Sequence, residues 1–333
     1  MLKKILEQFR RHGASGTVKN TIYHYLTRER KVRFGDLNKD KTFYIIRSIN
    51  HKSRFYVGPV NNLFANYFYV ISHLQYAKNN GWIPVVDQLN YPVYNSVSCS
   101  INGSNNAWEY FWKQPSDYTL EEVYNSYNVV LSKQNWFSEY DMGYEKNNYL
   151  DKDIITFYAN LSEKIQLNEE VKKILTIKCE SFFPDNGKIL GVNYRFGGHS
   201  LNHYDAAYGH PIQPDIKLLT ELVLNVMQDK GFKYVFLASD TTEGIEYFKN
   251  ILQDKLLYVK RNRLSEQFDR SSTKQYLKNM DLYTHTLEYI YEMEILSRCN
   301  GLIGSINSGF RYAIIKNNNK FEYLNVLDYG LIK

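Results

Sequence analysis

A cationic side chain stands at the end of an apolar strand in the segment GVNYRFGGHSLNHYDAAYGHP (191–211). Arg195 lies at or just beyond the end of this predicted strand (188–196), and two glycines follow. A guanidinium group is costly to bury unless it meets an anion, and it can bind two oxygens of one phosphate. The pattern therefore predicts phosphate binding by Arg195. A structural ion pair with a neighbouring carboxylate is the alternative.

The loop after Arg195 is rich in histidine and contains His199, His203, Asp205 and His210. Three histidines so close together suggest zinc. However, they lie in a glycine-rich loop and form no HExxH pattern, which is how helical zinc ligands are spaced. We therefore predict no metal site in this segment.

A second polar strand end follows the predicted strand YVFLASD (234–240). Asp240 stands where this strand ends and a helix begins at Thr241. A carboxylate in that position can N-cap the helix, or it can hold the ribose or base edge of a nucleotide. Both interpretations stay open on the sequence alone.

A third polar strand end is the segment GLIGSINSGFR (301–311), in which Ser305, Asn307, Ser308 and Gly309 join a strand to a helix. Small residues there allow backbone N–H groups to approach a phosphate at the positive end of the helix. The segment is neither a Walker A loop nor GxGxxG, so it does not favour an ATPase or a dinucleotide-binding enzyme. An ordinary strand-to-helix turn is the alternative.

One further pattern, Asp151-Lys152-Asp153, fits DxD, a motif in which two carboxylates can hold a metal ion. It follows no predicted strand, and it precedes a helix that it could cap. We therefore predict a capping role and no metal.

The elements that would position these residues form two α/β domains. Strand 42–49, helix 63–80 and strand 82–87 predict one βαβ unit, and a capping box at Thr119 and Glu122 predicts a helix start. Strands and helices then alternate over 188–327, which is typical of a doubly wound parallel sheet. We predict an N-terminal domain (1–170) and a C-terminal domain (171–333), each Rossmann-like, with the two sheets facing one another.

Composition restricts the class of partner and the compartment. The formal net charge of +6 is too small to predict nucleic-acid binding, and it fits an anionic small molecule or membrane face equally well. The three cysteines are widely spaced, which predicts neither a disulfide framework nor a zinc site and favours a reducing, cytoplasmic compartment.

The N-terminal segment MLKKILEQFRRHG has apolar residues on one helical face and basic residues around it. It predicts a short amphipathic helix over residues 1–12 that either lies on an anionic membrane surface or packs on the protein body. No stretch of the sequence approaches the roughly 18–20 apolar residues that a membrane span requires.

The order of these segments resembles the superfamily of α-1,6-fucosyltransferases, protein O-fucosyltransferases and bacterial nodulation fucosyltransferases. That superfamily carries HxRR, AAFHP, ATD and LSxADxLxxTxSS motifs, which stand here as GVNYRFGGHS, DAAYGHP, LASD and ILSRCNGLIGSINSG. The resemblance covers roughly residues 55–90 and 188–315. It implies a GT-B fold with a cleft between two domains, GDP-fucose as the donor, and neither a metal nor another cofactor.

The resemblance also implies roles for residues at matching positions. Arg195 matches the arginine that binds the β-phosphate of the donor, and the run from Ser305 to Gly309 matches the segment that holds the diphosphate. Asp205 matches the candidate catalytic base, and His199 and His203 are the next candidates if the base lies elsewhere. Glu292 matches an acidic residue that pairs with the guanine edge.

The sequence departs from the superfamily pattern at three positions. Asn193 stands in place of a histidine that contacts the base, His199 in place of a lysine, and Phe196 in place of the second arginine of HxRR. These departures leave open a donor other than GDP-fucose.

Taken together, these features predict an inverting, metal-independent transfer of fucose from GDP-fucose to a sugar acceptor. The setting expected from the resemblance is bacterial surface-polysaccharide or glycan synthesis, on an oligosaccharide or a lipid-linked sugar. Loops 58–62 and 104–118 are the predicted acceptor contacts. A transferase with another nucleotide sugar, or a non-catalytic nucleotide-sugar-binding protein, is the alternative.

Overall fold

The chain divides into two compact units. The first comprises Met1–Asp141 and Lys164–Asn168, and the second comprises Met142–Glu163 and Glu169–Lys333. The second unit thus includes residues 142–163, which the sequence places in the N-terminal domain. The computed structural model describes residues 28–47, 63–89, 100–101, 103–133, 138–140, 142–195, 211–263 and 281–332.

The first unit is a four-stranded sheet with helices on its two faces. Its strands are ordered β1-β4-β2-β3, where β2 is parallel to both of its neighbours and β1 is antiparallel to β4. The elements, in chain order, are β1 (Arg30–Val32), β2 (Leu37–Arg47), α1 (Leu63–Asn79), β3 (Ile83–Asp87), α2 (Leu120–Val123) and β4 (Ser126–Leu131).

Helix α2 begins at the predicted capping box. Thr119 Oγ1 accepts from the Glu122 amide at 3.2 Å, and the Glu122 side chain accepts from the Thr119 amide at 2.8 Å. Two backbone donors at the helix start are satisfied in this way. The sequence prediction at this position is confirmed, whereas strands β1 and β4, which pair with one another beside β2, were not predicted.

The second unit is a doubly wound sheet of five parallel strands, ordered β7-β6-β5-β8-β9. Its elements are α3 (Lys152–Ser162), α4 (Glu169–Glu180), β5 (Lys188–Tyr194), α5 (Ile216–Lys230), β6 (Phe232–Ser239), α6 (Thr242–Leu252), β7 (Leu256–Leu257), α7 (Leu282–Arg298), β8 (Gly301–Ser305), α8 (Ser308–Asn317) and β9 (Tyr323–Leu327). Apolar residues of β5 and β6 and of helices α5 and α6 form one core cluster, which includes Leu190, Val192, Val223, Val235 and Phe248.

The predicted α/β class with parallel-dominated sheets is confirmed in both units. In each sheet, one strand is flanked on both sides by strands that come later in the sequence. In the first sheet β2 lies between β3 and β4, and in the second β5 lies between β6 and β8. The chain reverses its direction of winding at these strands, and ligands of open α/β sheets bind outside the carboxyl ends at such a switch point. The facing arrangement of the two sheets stays a prediction.

The DxD pattern serves as a helix cap, as predicted. Asp151 Oδ1 accepts from the amides of Asp153 and Ile154 at 2.9 and 3.1 Å, which starts α3. In the described part of the chain, no three histidine, cysteine or acidic side chains group as metal ligands would. Nor is any helix in those residues long and apolar enough to cross a membrane.

Candidate active site

Arg195 and Asp240 follow neighbouring strands of the second unit and form an ion pair. Tyr194 at the end of β5 is in register with Ser239 at the end of β6, so the next residue of each strand meets its counterpart. Arg195 Nε lies 3.6 Å from Asp240 Oδ2, and the two side chains are 32% and 26% exposed. The ion pair given above as the alternative is therefore present. A pair this exposed contributes only about 0–1 kcal/mol, so an incoming anion can compete for the guanidinium.

Asp240 is not the N-cap of the helix that follows β6. That cap is Thr241, whose Oγ1 accepts from the Gly244 amide at 3.2 Å. The capping interpretation of Asp240 is wrong, because the hydroxyl one residue later has the extended backbone and the reach that a cap requires. The Asp240 carboxylate is directed instead to Arg195.

The loop between β8 and α8 is tied to β5 through two asparagines. Asn307 Nδ2 donates to Asn193 Oδ1 at 2.7 Å, and Asn307 Oδ1 accepts from the Phe310 amide at 2.9 Å. Asn307 is therefore the N-cap of α8 and also fixes that helix start relative to the end of β5. Two predicted donor-binding residues, Asn193 and Asn307, lie in direct contact.

Ser305 ends β8 with an unsatisfied hydroxyl. The residue is 1% exposed, and within the described residues its Oγ has no hydrogen-bond partner. A buried polar group without a partner costs about 1–3 kcal/mol, so such groups in native proteins call for an explanation. A bound ligand at the start of α8 would supply the missing partner.

Gly309 lets helix α7 approach the first turn of α8. A Cβ atom at this position would lie 2.6 Å from Tyr289 Oη and 2.8 Å from Met293 Sδ. A larger residue would therefore require Tyr289 or Met293 to move, so glycine permits the observed packing of α7 on α8.

Tyr289 connects the two predicted halves of the phosphate site. It abuts the position of Gly309, and it lies within electrostatic range of Arg195, Arg261 and Asp240. Burial raises the pKa of Tyr289 to about 12, and the positive charges of Arg195 and Arg261 act in the opposite direction. Because β5 and β8 are adjacent parallel strands, Arg195 and the start of α8 lie at the same edge of one sheet.

Glu292 lies in a buried ion cluster that the sequence did not reveal. Arg261 Nη2 donates to Glu292 Oε2 at 2.8 Å and Arg263 Nη2 donates to Glu292 Oε1 at 2.6 Å. The three side chains are 5%, 4% and 1% exposed. Both arginines also donate to the carbonyl oxygen of Ser239 at the end of β6, at 3.4 and 3.1 Å. The available signal was two arginines, two positions apart, just after the predicted strand LLYVK.

This cluster carries one net positive charge in a buried position. Burial lowers the pKa of the Arg261 guanidinium, but the adjacent Glu292 carboxylate outweighs burial and keeps that pKa above its ordinary value. Glu292 holds two guanidinium groups at the carboxyl ends of β6 and β7. Its role at a guanine edge stays a prediction.

His285 lies on α7 two turns before Glu292, and the sequence did not single it out. Its Nδ1 is buried and has no hydrogen-bond partner among the described residues. Burial, with the charge of Arg261 in addition, lowers the pKa of His285 to about 4. The imidazole is therefore neutral at physiological pH, with one nitrogen able to donate and the other able to accept.

Several predicted residues lie outside the described residues. These are the catalytic candidates Asp205 and His199, the second-choice base His203, loop 58–62, and the amphipathic segment 1–12. Their roles stay predictions.

The aromatic rings of segment 104–118 form part of the core of the first unit. Trp108, Phe111 and Trp112 are 0–2% exposed, and the two tryptophan rings pack with centroids 4.7 Å apart. Gln114 attaches the segment to β3, because its Oε1 accepts from the Val86 amide at 2.8 Å. These three rings therefore belong to the core of the first unit, and contact of segment 104–118 with an acceptor stays a prediction.

Known structures similar to this chain are fucosyltransferases. One is the NodZ α-1,6-fucosyltransferase soaked with GDP-fucose, at 15% identity, covering 83% of this chain and 92% of that one, with a TM-score of 0.44. A variant of Arabidopsis thaliana FUT1 in complex with GDP has 13% identity, coverage of 98% and 78%, and a TM-score of 0.44. POFUT1 in complex with GDP has 11% identity, coverage of 88% and 76%, and a TM-score of 0.38.

No protein-family model matches the sequence, and no curated protein matches it either. Because the identities are 15% or lower and the TM-scores are below 0.5, the function proposed below rests on the residues of this chain.

Proposed function

We propose that this protein is a glycosyltransferase that transfers a sugar from a nucleoside-diphosphate donor to a hydroxyl of a saccharide acceptor. The first candidate donor is GDP-fucose, so the transferred sugar would be fucose. The observation that carries the proposal is the juxtaposition of Arg195 with the start of α8 at the switch point of a doubly wound sheet. A guanidinium and the amides of a helix N-terminus together suit a diphosphate.

The proposed reaction is a direct displacement with inversion. Asp205, or His199 if Asp205 is not the base, takes the proton of the acceptor hydroxyl, whose oxygen attacks the anomeric carbon. The bond from that carbon to the diphosphate oxygen breaks, and the electron pair leaves with the diphosphate. Arg195, the amides of α8 and the hydroxyl of Ser305 stabilise the leaving group, which would dispense with a metal.

The ion cluster on Glu292 supports a neighbouring role for the rest of the nucleotide. Arg261, Arg263 and Asp240 lie at the carboxyl ends of β6 and β7, beside the proposed phosphate site. Because both oxygens of Glu292 already accept from arginine, the same observation favours, as second candidate, a transferase whose donor has a base other than guanine. A non-catalytic nucleotide-sugar-binding protein would share the site without a working base.

Arg195→Ala should lower transfer or hydrolysis of GDP-fucose by about 10²–10³-fold, because one preorganised contact to the leaving group is lost. Asp205→Asn should retain GDP affinity and lose transfer, since it removes only the base. Release of GDP measures turnover, and calorimetric titration with GDP measures binding. Lys188→Ala, at the opposite end of β5 and paired with the exposed Glu322, is the matched control. Wild-type turnover in Arg195→Ala would refute the role of this residue.

Thermal shift with GDP, UDP and dTDP separates the two candidate donors. Stabilisation by GDP alone supports a guanine nucleotide, whereas equal stabilisation by UDP supports the second candidate. GDP binding with no release of GDP from GDP-fucose, in the presence of a saccharide acceptor panel, supports the non-catalytic alternative.

A cytoplasmic setting at the inner face of a membrane, in surface-polysaccharide synthesis, is the biological context that we propose. Its support is the basic amphipathic pattern of residues 1–12 and the cysteine content. Co-sedimentation with anionic vesicles tests it. Equal sedimentation of the wild type and a chain lacking residues 1–12 would contradict membrane contact through this segment.

A further inference from the structure

The first unit has its own switch point at the carboxyl ends of β2 and β4. Chain winding reverses at β2, so the carboxyl ends of β2 and β4 flank the position where open α/β sheets bind ligands. Tyr69 of α1 marks this position, because its hydroxyl lies 3.0 Å from the carbonyl oxygens of both Arg47, which ends β2, and Lys133, just beyond β4.

Asn66 lies one helical turn before Tyr69, on the same side of α1. Helix α1 connects the parallel neighbours β2 and β3, so its N-terminal part lies at the carboxyl edge of the sheet. His73, further along the helix, is bonded to Tyr44 within β2 at 2.8 Å. Since a turn advances by about 5.4 Å and side chains tilt towards the helix N-terminus, Asn66 lies further than Tyr69 towards the carboxyl edge of the sheet.

The carboxamide of Asn66 is buried and unsatisfied. The residue is 1% exposed, and neither its Oδ1 nor its Nδ2 has a hydrogen-bond partner within the part of the chain that the structure describes. Buried amides are almost always bonded, and leaving both ends without a partner is costly. An apolar residue of similar size would fill the same space at no such cost.

We propose that Asn66, at the start of α1, is a specificity-determining residue that binds a hydroxyl of the acceptor saccharide; this proposal rests on the transferase function proposed above. A sugar hydroxyl can accept from Nδ2 and donate to Oδ1, which satisfies both ends of the carboxamide. An anion would satisfy only the donor end and would be repelled by Oδ1. The ligand class is therefore a neutral polyhydroxyl compound rather than a phosphate.

The test uses the full chain, without donor, and a panel of methyl glycosides of glucose, galactose, mannose and N-acetylglucosamine as probes. Saturation-transfer NMR should detect binding of at least one glycoside to the wild type. Asn66→Leu should weaken that binding at least tenfold. The same variant should melt at a higher temperature than the wild type, because an unsatisfied buried amide has been replaced by an apolar group.

Asn79→Leu, on the exposed last residue of the same helix, is the matched control and should bind the glycoside as the wild type does. The proposal is overturned if no glycoside in the panel binds the wild type, if binding survives Asn66→Leu, or if inorganic phosphate displaces the glycoside. GDP titration of each variant reports on the donor site separately. Absence of GDP binding in the wild type would count against the transferase, whereas the glycoside result would still decide the role of Asn66.

Discussion

At the scale of single residues, the candidate site is defined by polar groups in buried positions. Ser305 and His285 each have a buried polar atom without a partner among the described residues, and the buried Glu292 holds two arginines. Groups of this kind are expensive to retain in an apolar interior, so they mark the places where a ligand would complete the bonding. The prediction for His285 does not depend on the identity of the acceptor.

His285 should make stability depend on pH. Its folded pKa of about 4 lies below the ordinary value of 6.5, so the unfolded chain binds the proton more tightly. This contribution is complete above pH 6.5 and is lost as the pH falls towards 4, by roughly 3 kcal/mol for a shift of this size. Urea unfolding at pH 7 and pH 5 measures the loss.

His285→Gln should remove this part of the pH dependence while it leaves the background slope from other groups. An unchanged slope between pH 6.5 and 4 in the variant would show that His285 titrates normally in the folded protein.

At the scale of elements, the packing of α7 on α8 positions the start of α8 at the switch point. Gly309→Ala should cost about 1–3 kcal/mol, since its Cβ would overlap Tyr289 Oη and Met293 Sδ. It should also weaken GDP binding, because α8 must tilt or Tyr289 must move. The double variant Gly309→Ala/Tyr289→Phe should regain part of both losses. Calorimetry and chemical unfolding measure the two quantities, and a single variant with wild-type affinity and stability would contradict the packing argument.

Much of the element level could be predicted because the signals are local. The capping box at Thr119, the capping role of Asp151 and the strand–turn–helix at Ser305 to Gly309 depend on residues within one or two turns. What the sequence did not reveal depends on distant partners. Arg261 and Arg263 meet Glu292 about 30 positions away, and no local pattern contains that pairing.

The burial of the aromatic segment 104–118 could not be predicted for a related reason. Trp108 and Trp112 are as compatible with a sugar platform as with a core, and only the tertiary packing of the first unit shows that they are buried. The choice between Asp240 and Thr241 as a cap was equally undetermined, since both residue types cap helices well.

At the scale of the whole molecule, the chain passes between the units at residues 142, 164 and 169. Residues 142–163 belong with the second unit because α3 packs on α8, and because Arg311 of α8 donates to Tyr149 Oη at 3.0 Å and to the Gly143 carbonyl at 2.8 Å. A predicted boundary at residue 170 would cut through these contacts.

A fragment of residues 142–333 should therefore fold and melt cooperatively, whereas 171–333 should not. The shorter piece leaves the surface of α8 that α3 covers exposed to water, and it lacks the carbonyl and hydroxyl partners of the buried Arg311. Circular dichroism melts compare the two. A cooperative transition at the same temperature for both fragments would show that residues 142–170 are dispensable.

The pairing of α3 with α8 also affects the order in which the protein can fold during synthesis. Helix α3 leaves the ribosome about 150 residues before its partner, which at 5–20 residues per second is a delay on the order of ten seconds. Throughout that time α3 lacks the surface of α8 on which it packs in the folded protein. A nascent chain paused between residues 170 and 300 should consequently be a target for chaperones that bind exposed apolar helices.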